Sequence, residues 1–179
     1  MEFSTEPKGR EDEIIDPITA TFSASEGEEE GALIGDPVRD LLTGTAEPYR
    51  FVFTAELDSA IIGGIVFSRL TYAQDERTVF VLAPVAVATD WQGRGIGQRL
   101  LTHGLAALRS AGVDIAMTYG DPHSYAKVGF RPISEADAQA PYPLKRPEGW
   151  LVQSLTERAL TPLQGPSRCV AALYDPVFW

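Results

Sequence analysis

The sequence predicts one α/β domain built on a mixed sheet, and three observations carry that expectation. Two β-rich runs lie back to back between Tyr49 and Tyr72, a strand, glycine loop, helix and strand follow one another from Val79 to Met117, and two further strand-like runs close the chain. A hairpin makes antiparallel neighbours and a strand–helix–strand crossover makes parallel ones, so the sheet is mixed. At 179 residues, 44% of them hydrophobic and 22% charged, the chain is long enough to bury one real core and short for two.

Residues 1–31 are polar and rich in acid, with "EGEEEG" from Glu26 to Gly31. Like charges in series repel, so a solvated face or mobile loop is expected; the alternative is an acidic rim that attracts an amine. A short helix is expected from Leu33 to Leu42, entered through Asp36 and Pro37. The runs Tyr49–Leu57 and Ile61–Tyr72, joined at the turn-favouring Asp58 and Ser59, predict a hairpin. Gly63 and Gly64 mark hairpin curvature, a bulge or a close ligand approach. "RTVFVLAPVAVAT" is a third β-rich run, but Pro84 cannot donate to a ladder, so either a bulge with loss of pairing or an ordinary edge strand is expected there.

Ile96, Leu100, Leu101, Gly104, Leu105 and Leu108 recur at three- and four-residue spacing, the stripe of a helix of roughly four turns that Gly112 is placed to end. His103, inside it, is expected at the surface or half-buried. "VDIAMTY" reads as a strand, and "GDPHSYAKVGF" as a turn, a brief helix and the entry to another strand. Glu135 to Glu148 is a proline-punctuated loop, and "GWLVQSL" and "RCVAALY" are strand candidates. Cys169 is expected as a small buried apolar residue, and Trp150 and Trp179 as core or edge aromatics.

Composition narrows the function classes. No run of eighteen apolar residues and no basic start leading into an apolar segment occurs, so a cytoplasmic protein without membrane span or secretory signal is expected. One cysteine and two histidines make no zinc cluster, and no metal is expected. A net charge of −10 and a pI near 4.6 disfavour nucleic acid and anionic membrane and mildly favour a cationic partner such as an amine.

The chemistry gathers at "DWQGRGIGQRLL", with three glycines in five positions running straight into the helical stripe. A helix start leaves four backbone N–H groups without intrahelical partners, and glycine lets an anion approach them, so the loop reads as a phosphate cradle. The G-x-G-x-x-G register fails: counted from Gly93 its last position is Gln98, and from Gly95 it is Leu100. No G-K-[S/T] triplet occurs anywhere in the chain. Arg94 and Arg99 add local positive charge that outweighs the distant, screened net charge at contact range.

The stretch "VAVATDWQGRGIGQRLL" resembles the Q/R-x-x-G-x-G/A motif of the GNAT superfamily of N-acetyltransferases, with Gln92, Gly95 and Gly97 at its defining positions. "GDPHSYAKVGF" is similar to that superfamily's next motif, a tyrosine four residues before Gly-Phe, here Tyr125, Gly129 and Phe130. With the later "EGWLVQSL" and "ALYDPVFW", the pattern is similar to a bacterial branch of small predicted acetyltransferases. The resemblance is good from about Phe51 to Arg131 and poor before Leu41.

It implies the GNAT fold: a central, mostly antiparallel twisted sheet with a splayed parallel pair at the cofactor site and flanking helices. It also implies a single domain over residues 1–179, with a cofactor-binding core over about 79–131 and a variable N-terminal region over 1–40. The cosubstrate implied is acetyl-CoA, its diphosphate on the amides of Gln92, Gly93, Arg94, Gly95, Ile96, Gly97 and Gln98. Its pantetheine arm would pair with the backbone of Val85, Ala86 and Val87 beside a bulge at Pro84, with an N–H of that stretch as oxyanion donor.

Acetyl transfer needs a neutral amine nitrogen, a stabilised oxyanion and a proton for the thiolate. An amine of pKa near 10.4 is neutral in only about one molecule in several thousand at pH 7, so its proton must be removed. The resemblance sets Tyr125 beside the sulfur as the acid; the alternative is a ring that merely packs on the cofactor. Glu56, Asp75, Glu76, His123 or a water relay stand as bases, and Trp91 could stack on adenine or pack on the strand. The acceptor is a small-molecule or peptide amine, and both monomers and homodimers are consistent with the family. Two other functions stay open at this point: an acyl-CoA-binding sensor or scaffold without turnover, and a domain for a different phosphate ligand.

Overall fold

The computed structural model describes residues 1–5 and 8–179. Its elements are β1 (Glu2–Thr5), α1 (Glu11–Glu26), α2 (Glu28–Gly44), β2 (Arg50–Leu57), β3 (Ala60–Tyr72), β4 (Asp75–Val87), α3 (Ile96–Ser110), β5 (Ile115–Tyr119), α4 (Pro122–Ala126), β6 (Arg131–Pro132), β7 (Trp150–Ser154) and β8 (Ser167–Arg168). Among the described residues the sheet has eight strands in the order β1-β2-β3-β4-β5-β7-β6, with β8 on β3. β4 and β5 run parallel, whereas β1/β2, β3/β8, β5/β7 and β6/β7 are antiparallel. This is the mixed, mostly antiparallel architecture expected. Among the described residues no helix is long and apolar enough to cross a membrane.

Local sequence explains most of these elements. Asp58 (φ 49°) and Ser59 (φ 67°) form the two-residue loop between β2 and β3, and consecutive left-handed residues match the twist of a hairpin. The α3 stripe is buried at Ile96, Leu100, Leu101, Leu105 and Leu108. Gly112 (φ 80°) ends the helix, with Val113 N–H reaching back to Leu108 O at 3.0 Å, a closure that only a left-handed residue permits cheaply.

The N-terminal expectation holds for the charges and not for the loop: Glu26, Glu28, Glu29 and Glu30 are exposed, as a solvated face requires, but Glu11–Glu26 and Glu28–Gly44 form α1 and α2, and β1 pairs with β2 from Glu2↔Glu56 to Thr5↔Phe53. The acidic residues occupy outer faces and first turns, where they suit the positive end of a helix, while Ile14, Ile15 and Ile18 and then Val38, Leu41 and Leu42 are buried at helical spacing. Pro37 does not open a helix; it lies inside α2, which begins at Glu28. The carbonyl its missing N–H frees belongs to Leu33, an exposed residue.

The expected strand over "RCVAALY" is a second correction. β8 comprises only Ser167 and Arg168, and Ala171–Leu173 is a 3-10 turn. Cys169 and Leu173 are both buried, Leu173 from within that turn, so the apolar residues of the segment reach the core without a strand. Cys169 is a buried thiol whose pKa burial pushes up to about 11.

The chain packs as two compact units, Met1–Phe67 with Pro84–Gly104, and Ser68–Ala83 with Leu105–Trp179. In the first, Gly104 lets α3 lie tight on the sheet: a Cβ there would sit 3.0 Å from Ile65 Cδ1 and from Phe67 Cε2. His103 is half-buried, stacked on Phe3 and edge-on to Phe53. In the second, Trp150 is fully buried and donates from Nε1 to Ala138 O at 2.8 Å, and Trp179 donates to Leu173 O at 3.1 Å.

Candidate active site

The glycine loop belongs to the first unit. Gly93 (φ 72°) and Gly95 (φ 73°) adopt left-handed backbone, and a Cβ built on either meets no heavy atom within 4 Å. Glycine is therefore demanded by backbone geometry, and the space above it is open. Residues 92–95 are exposed, and the first helical bond runs from Arg99 N to Gly95 O at 3.1 Å. The amides of Ile96, Gly97 and Gln98 thus precede the helical ladder, at the end of α3 where the helix dipole is positive.

The loop is tied to the end of β4. Gln92 Nε2 donates to Val87 O at 2.9 Å, and Thr21 Oγ1 of α1 donates to the same carbonyl at 3.2 Å. Ala88 N donates to Ile62 O of β3 at 2.8 Å. Since backbone groups alternate along a strand, Ala86 also turns toward β3, while Val85 and Val87 turn to the opposite edge. Gly63 serves this approach, because a Cβ there would lie 3.2 Å from Ala86 O and 3.4 Å from Val87 Cγ2. Trp91 is engaged by Arg94, whose guanidinium lies 4.7 Å from the ring centroid.

Tyr125 belongs to the second unit, and its placement is built from short-range signals. Asp121 caps α4, accepting from His123 N at 3.1 Å and from Ser124 N at 3.2 Å, with Ser124 Oγ at 2.6 Å; Pro122 follows at the first helical position. The Ser124 hydroxyl, then the His123 amide, hold the Asp121 carboxyl below its ordinary pKa. The ring of Tyr125 meets Phe130 edge-on at 5.7 Å, and its carbonyl accepts from Phe130 N at 3.2 Å. On its other side is Gly120, where a Cβ would fall 2.7 Å from Tyr125 Cε2. Burial raises the phenol's pKa, and the neighbouring Thr118 hydroxyl pulls it part of the way back. A phenol held protonated in this way is a competent hydrogen-bond donor or acid.

The β4–β5 register runs from Val79↔Ile115 to Leu82↔Thr118, so parallel pairing ends two residues before Pro84 although β4 continues to Val87. Thr118, fully buried, donates from Oγ1 to Leu82 O at 3.1 Å. A side chain thereby serves a carbonyl at the last pair of the ladder. Sequence reasoning missed Thr118 and Gly120; the available signal was a lone hydroxyl in the otherwise apolar "IAMTY".

Two of the candidate bases are engaged. Glu56 accepts from Arg10 Nη1 at 2.7 Å and Thr54 Oγ1 at 3.2 Å, and the Arg10 hydrogen bond above all lowers its pKa. Asp75 is gripped by Arg77 Nη2 at 2.6 Å and Nε at 2.9 Å and held at about 2, chiefly by those bonds. Both lowered values make for weak bases. Glu76 and His123 are exposed.

Comparison with known proteins follows the same residues. A family model described as "Acetyltransferase (GNAT) domain" matches residues 48–132. The uncharacterized N-acetyltransferase YjhQ of Escherichia coli (strain K12) is 32% identical over 139 residues, covering 75% of this chain and 76% of that protein. A crystal structure of a GNAT family acetyltransferase from Brucella melitensis in complex with acetyl-CoA is 26% identical, with TM-score 0.70 and 96% coverage of both chains. The Escherichia coli protein YhbS, crystallised in complex with CoA, shares the fold at TM-score 0.77 and 23% identity, covering 98% of this chain and 92% of that one.

Proposed function

Because the chain belongs to the GNAT superfamily of acetyltransferases, we propose that it is a cytoplasmic, acetyl-CoA-dependent N-acetyltransferase, one functional domain acting by direct transfer on a primary amine of a small molecule or peptide. The observation that carries this reading is the pair of left-handed glycines under open space, immediately before the unpaired amides that start α3. On it, residues Gln92 to Gln98 hold the diphosphate, and Val85 and Val87, whose backbone faces away from β3, pair with the pantetheine arm. Ala86 is left to β3, and Gln92 acts by bracing Val87 as well as through its amide. The relative from Brucella melitensis, crystallised with acetyl-CoA, supports the choice of cosubstrate. The net charge of −10, with Glu28, Glu29 and Glu30 exposed, favours a cationic acceptor.

In the reaction the neutral amine nitrogen bonds to the thioester carbonyl carbon, an N–H of the Val85–Val87 stretch stabilises the oxyanion, and the C–S bond breaks with its electron pair on sulfur. Tyr125 gives its proton to the thiolate. With Glu56 and Asp75 engaged in ion pairs, the proton lost by the amine passes to water, and the phenolate is reprotonated from solvent.

The test is acceptor-dependent CoA release over an amine panel. Tyr125→Phe is expected to lower turnover by roughly 10²- to 10⁴-fold with CoA affinity within about twofold; full turnover by that variant would reject the acid role. Tight CoA binding with no amine-dependent release would identify an acyl-CoA sensor in place of an enzyme.

A further inference from the structure

The stretch "EGWLVQSL" holds no residue of the proposed reaction, yet it meets the exit of β5 through a pair of glycines, its own Gly149 and Gly120. Pro147–Gly149 is a 3-10 turn leading into β7, and Gly149 is buried in it. Its carbonyl accepts from Gly120 N at 3.0 Å, and a Cβ built on Gly149 would lie 2.8 Å from Gly120 O. Backbone thus lies on backbone, with no room for a side chain between. Gly149 does not adopt left-handed backbone, so close approach, and not conformation, is what requires glycine there. Tyr119 closes the contact from the side: its Cε2 would stand 3.3 Å from the same Cβ, its phenol oxygen accepts from Arg146 N at 2.7 Å, and Trp179 stacks on its ring at 6.5 Å.

Gly120, held in this way, is also the residue against which Tyr125 sits, since a Cβ on it would lie 2.7 Å from Tyr125 Cε2. Its chain neighbour Asp121 caps α4, the helix that carries Tyr125. In close-packed surroundings a shift of Gly120 is passed to the ring by contact and to its backbone through one short helix. We propose that Gly149 is a positioning residue for Tyr125: by letting the turn before β7 close on Gly120 O, it sets where β5 ends and so where the phenol stands. The inference rests on the reading of Tyr125 as the thiolate's proton donor.

The experiment compares wild type, Gly149→Ala, Tyr125→Phe and the double variant, with CoA binding by calorimetry to show that each is folded. Carbon approaches a carbonyl oxygen to about 3.3–3.6 Å, so alanine forces the Gly120 carbonyl back by about 0.5–0.8 Å. A misplacement of about 1 Å costs on the order of 100-fold in rate, and this smaller one is expected to lower kcat about tenfold, with CoA affinity within about twofold. The Tyr125 ring resonances, identified by their loss in Tyr125→Phe, are expected to shift. In the Tyr125→Phe background the same alanine is expected to change kcat less than about twofold, because the proton that it misplaces is gone. A glycine that served stability alone would lower the melting temperature and leave both kcat and the Tyr125 resonances where they were.

Unmoved Tyr125 resonances in folded Gly149→Ala overturn the proposal, as does a kcat loss of equal size in both backgrounds. Should Gly149→Ala not fold, Tyr119→Phe carries the same comparison: it takes the acceptor from Arg146 N–H, loosens the same turn, and is expected to lower kcat about two- to tenfold, the size of one neutral hydrogen bond, in the Tyr125 background only. Full activity of Tyr125→Phe would instead refute the acid role on which the proposal rests, whereas the ring resonances test the seat by themselves.

Discussion

Replacing Gly120 with alanine perturbs the candidate acid at one point. Gly120 does not adopt left-handed backbone, so alanine there carries no conformational strain and its whole effect is steric. The added Cβ would stand 2.7 Å from Tyr125 Cε2, 3.5 Å from Cδ2 and 3.7 Å from Cζ. Favourable carbon–carbon contact begins at roughly 3.5 Å, so the ring edge must move by about 1 Å. Phe130 stands on one side of the ring, and accommodation there costs about 1–3 kcal/mol as overpacking. A reacting group misplaced by about 1 Å loses on the order of 100-fold in rate.

Steady-state CoA release should therefore show kcat lowered by about that factor, with CoA affinity measured by calorimetry unchanged. In a Tyr125→Phe background the same Gly120→Ala change should alter the rate little, because the group through which it acts has already lost its proton. A kcat for Gly120→Ala within twofold of wild type, or an equal further loss in the Tyr125→Phe background, would refute the argument that Gly120 acts by seating Tyr125.

Three other outcomes are expected. Gly95→Ala, which forces a Cβ into left-handed backbone over the loop amides, should cost about 1–2 kcal/mol in the thermal melt and weaken CoA binding at least about tenfold; equal affinity by calorimetry would deny the loop its role. Asp75, lowered from 3.8 to about 2 by Arg77, lends stability that is complete above its unfolded pKa and lost as pH falls from about 4 toward 2. Melts across that window should fall more steeply for wild type than for Asp75→Asn. Ile18→Ala should cost about 2–5 kcal/mol, since Ile18 is fully buried, and an unshifted melting temperature would contradict a packed α1.

Elements whose signal is local and repeated were legible in the chain. The α3 stripe, the Asp58–Ser59 hairpin and the turn and brief helix of "GDPHSYAKVGF" each specify their geometry within a few residues, and each stands where the sequence placed it. The helix expected over Leu33–Leu42 lies within the longer α2, whereas α1 and the start of α2 were not read because runs of acid masked a sparse stripe. Three isoleucines in α1 and three aliphatic residues in α2 suffice to bury a face, while charge composition reports only the face left outside. That Glu56 and Asp75, two candidate bases, stand in ion pairs was hidden for a different reason. Their arginines stand 46 and 2 residues away in sequence, and nothing in residue type says which carboxylates are paired.

What the sequence determined alone is the glycine-rich helix start and the family to which it points, because glycine spacing and a helix start are properties of one short segment. What only the tertiary structure decided is how the strand before that loop is used. Val85 and Val87 turn away from β3 because Ala88 bonds to Ile62, and Val87 O is claimed by Gln92 and Thr21. The same holds for the seat of Tyr125, made by Gly120 and Phe130. A backbone edge is free, occupied or capped according to which chain lies beside it, and that neighbour is chosen by packing across the whole fold.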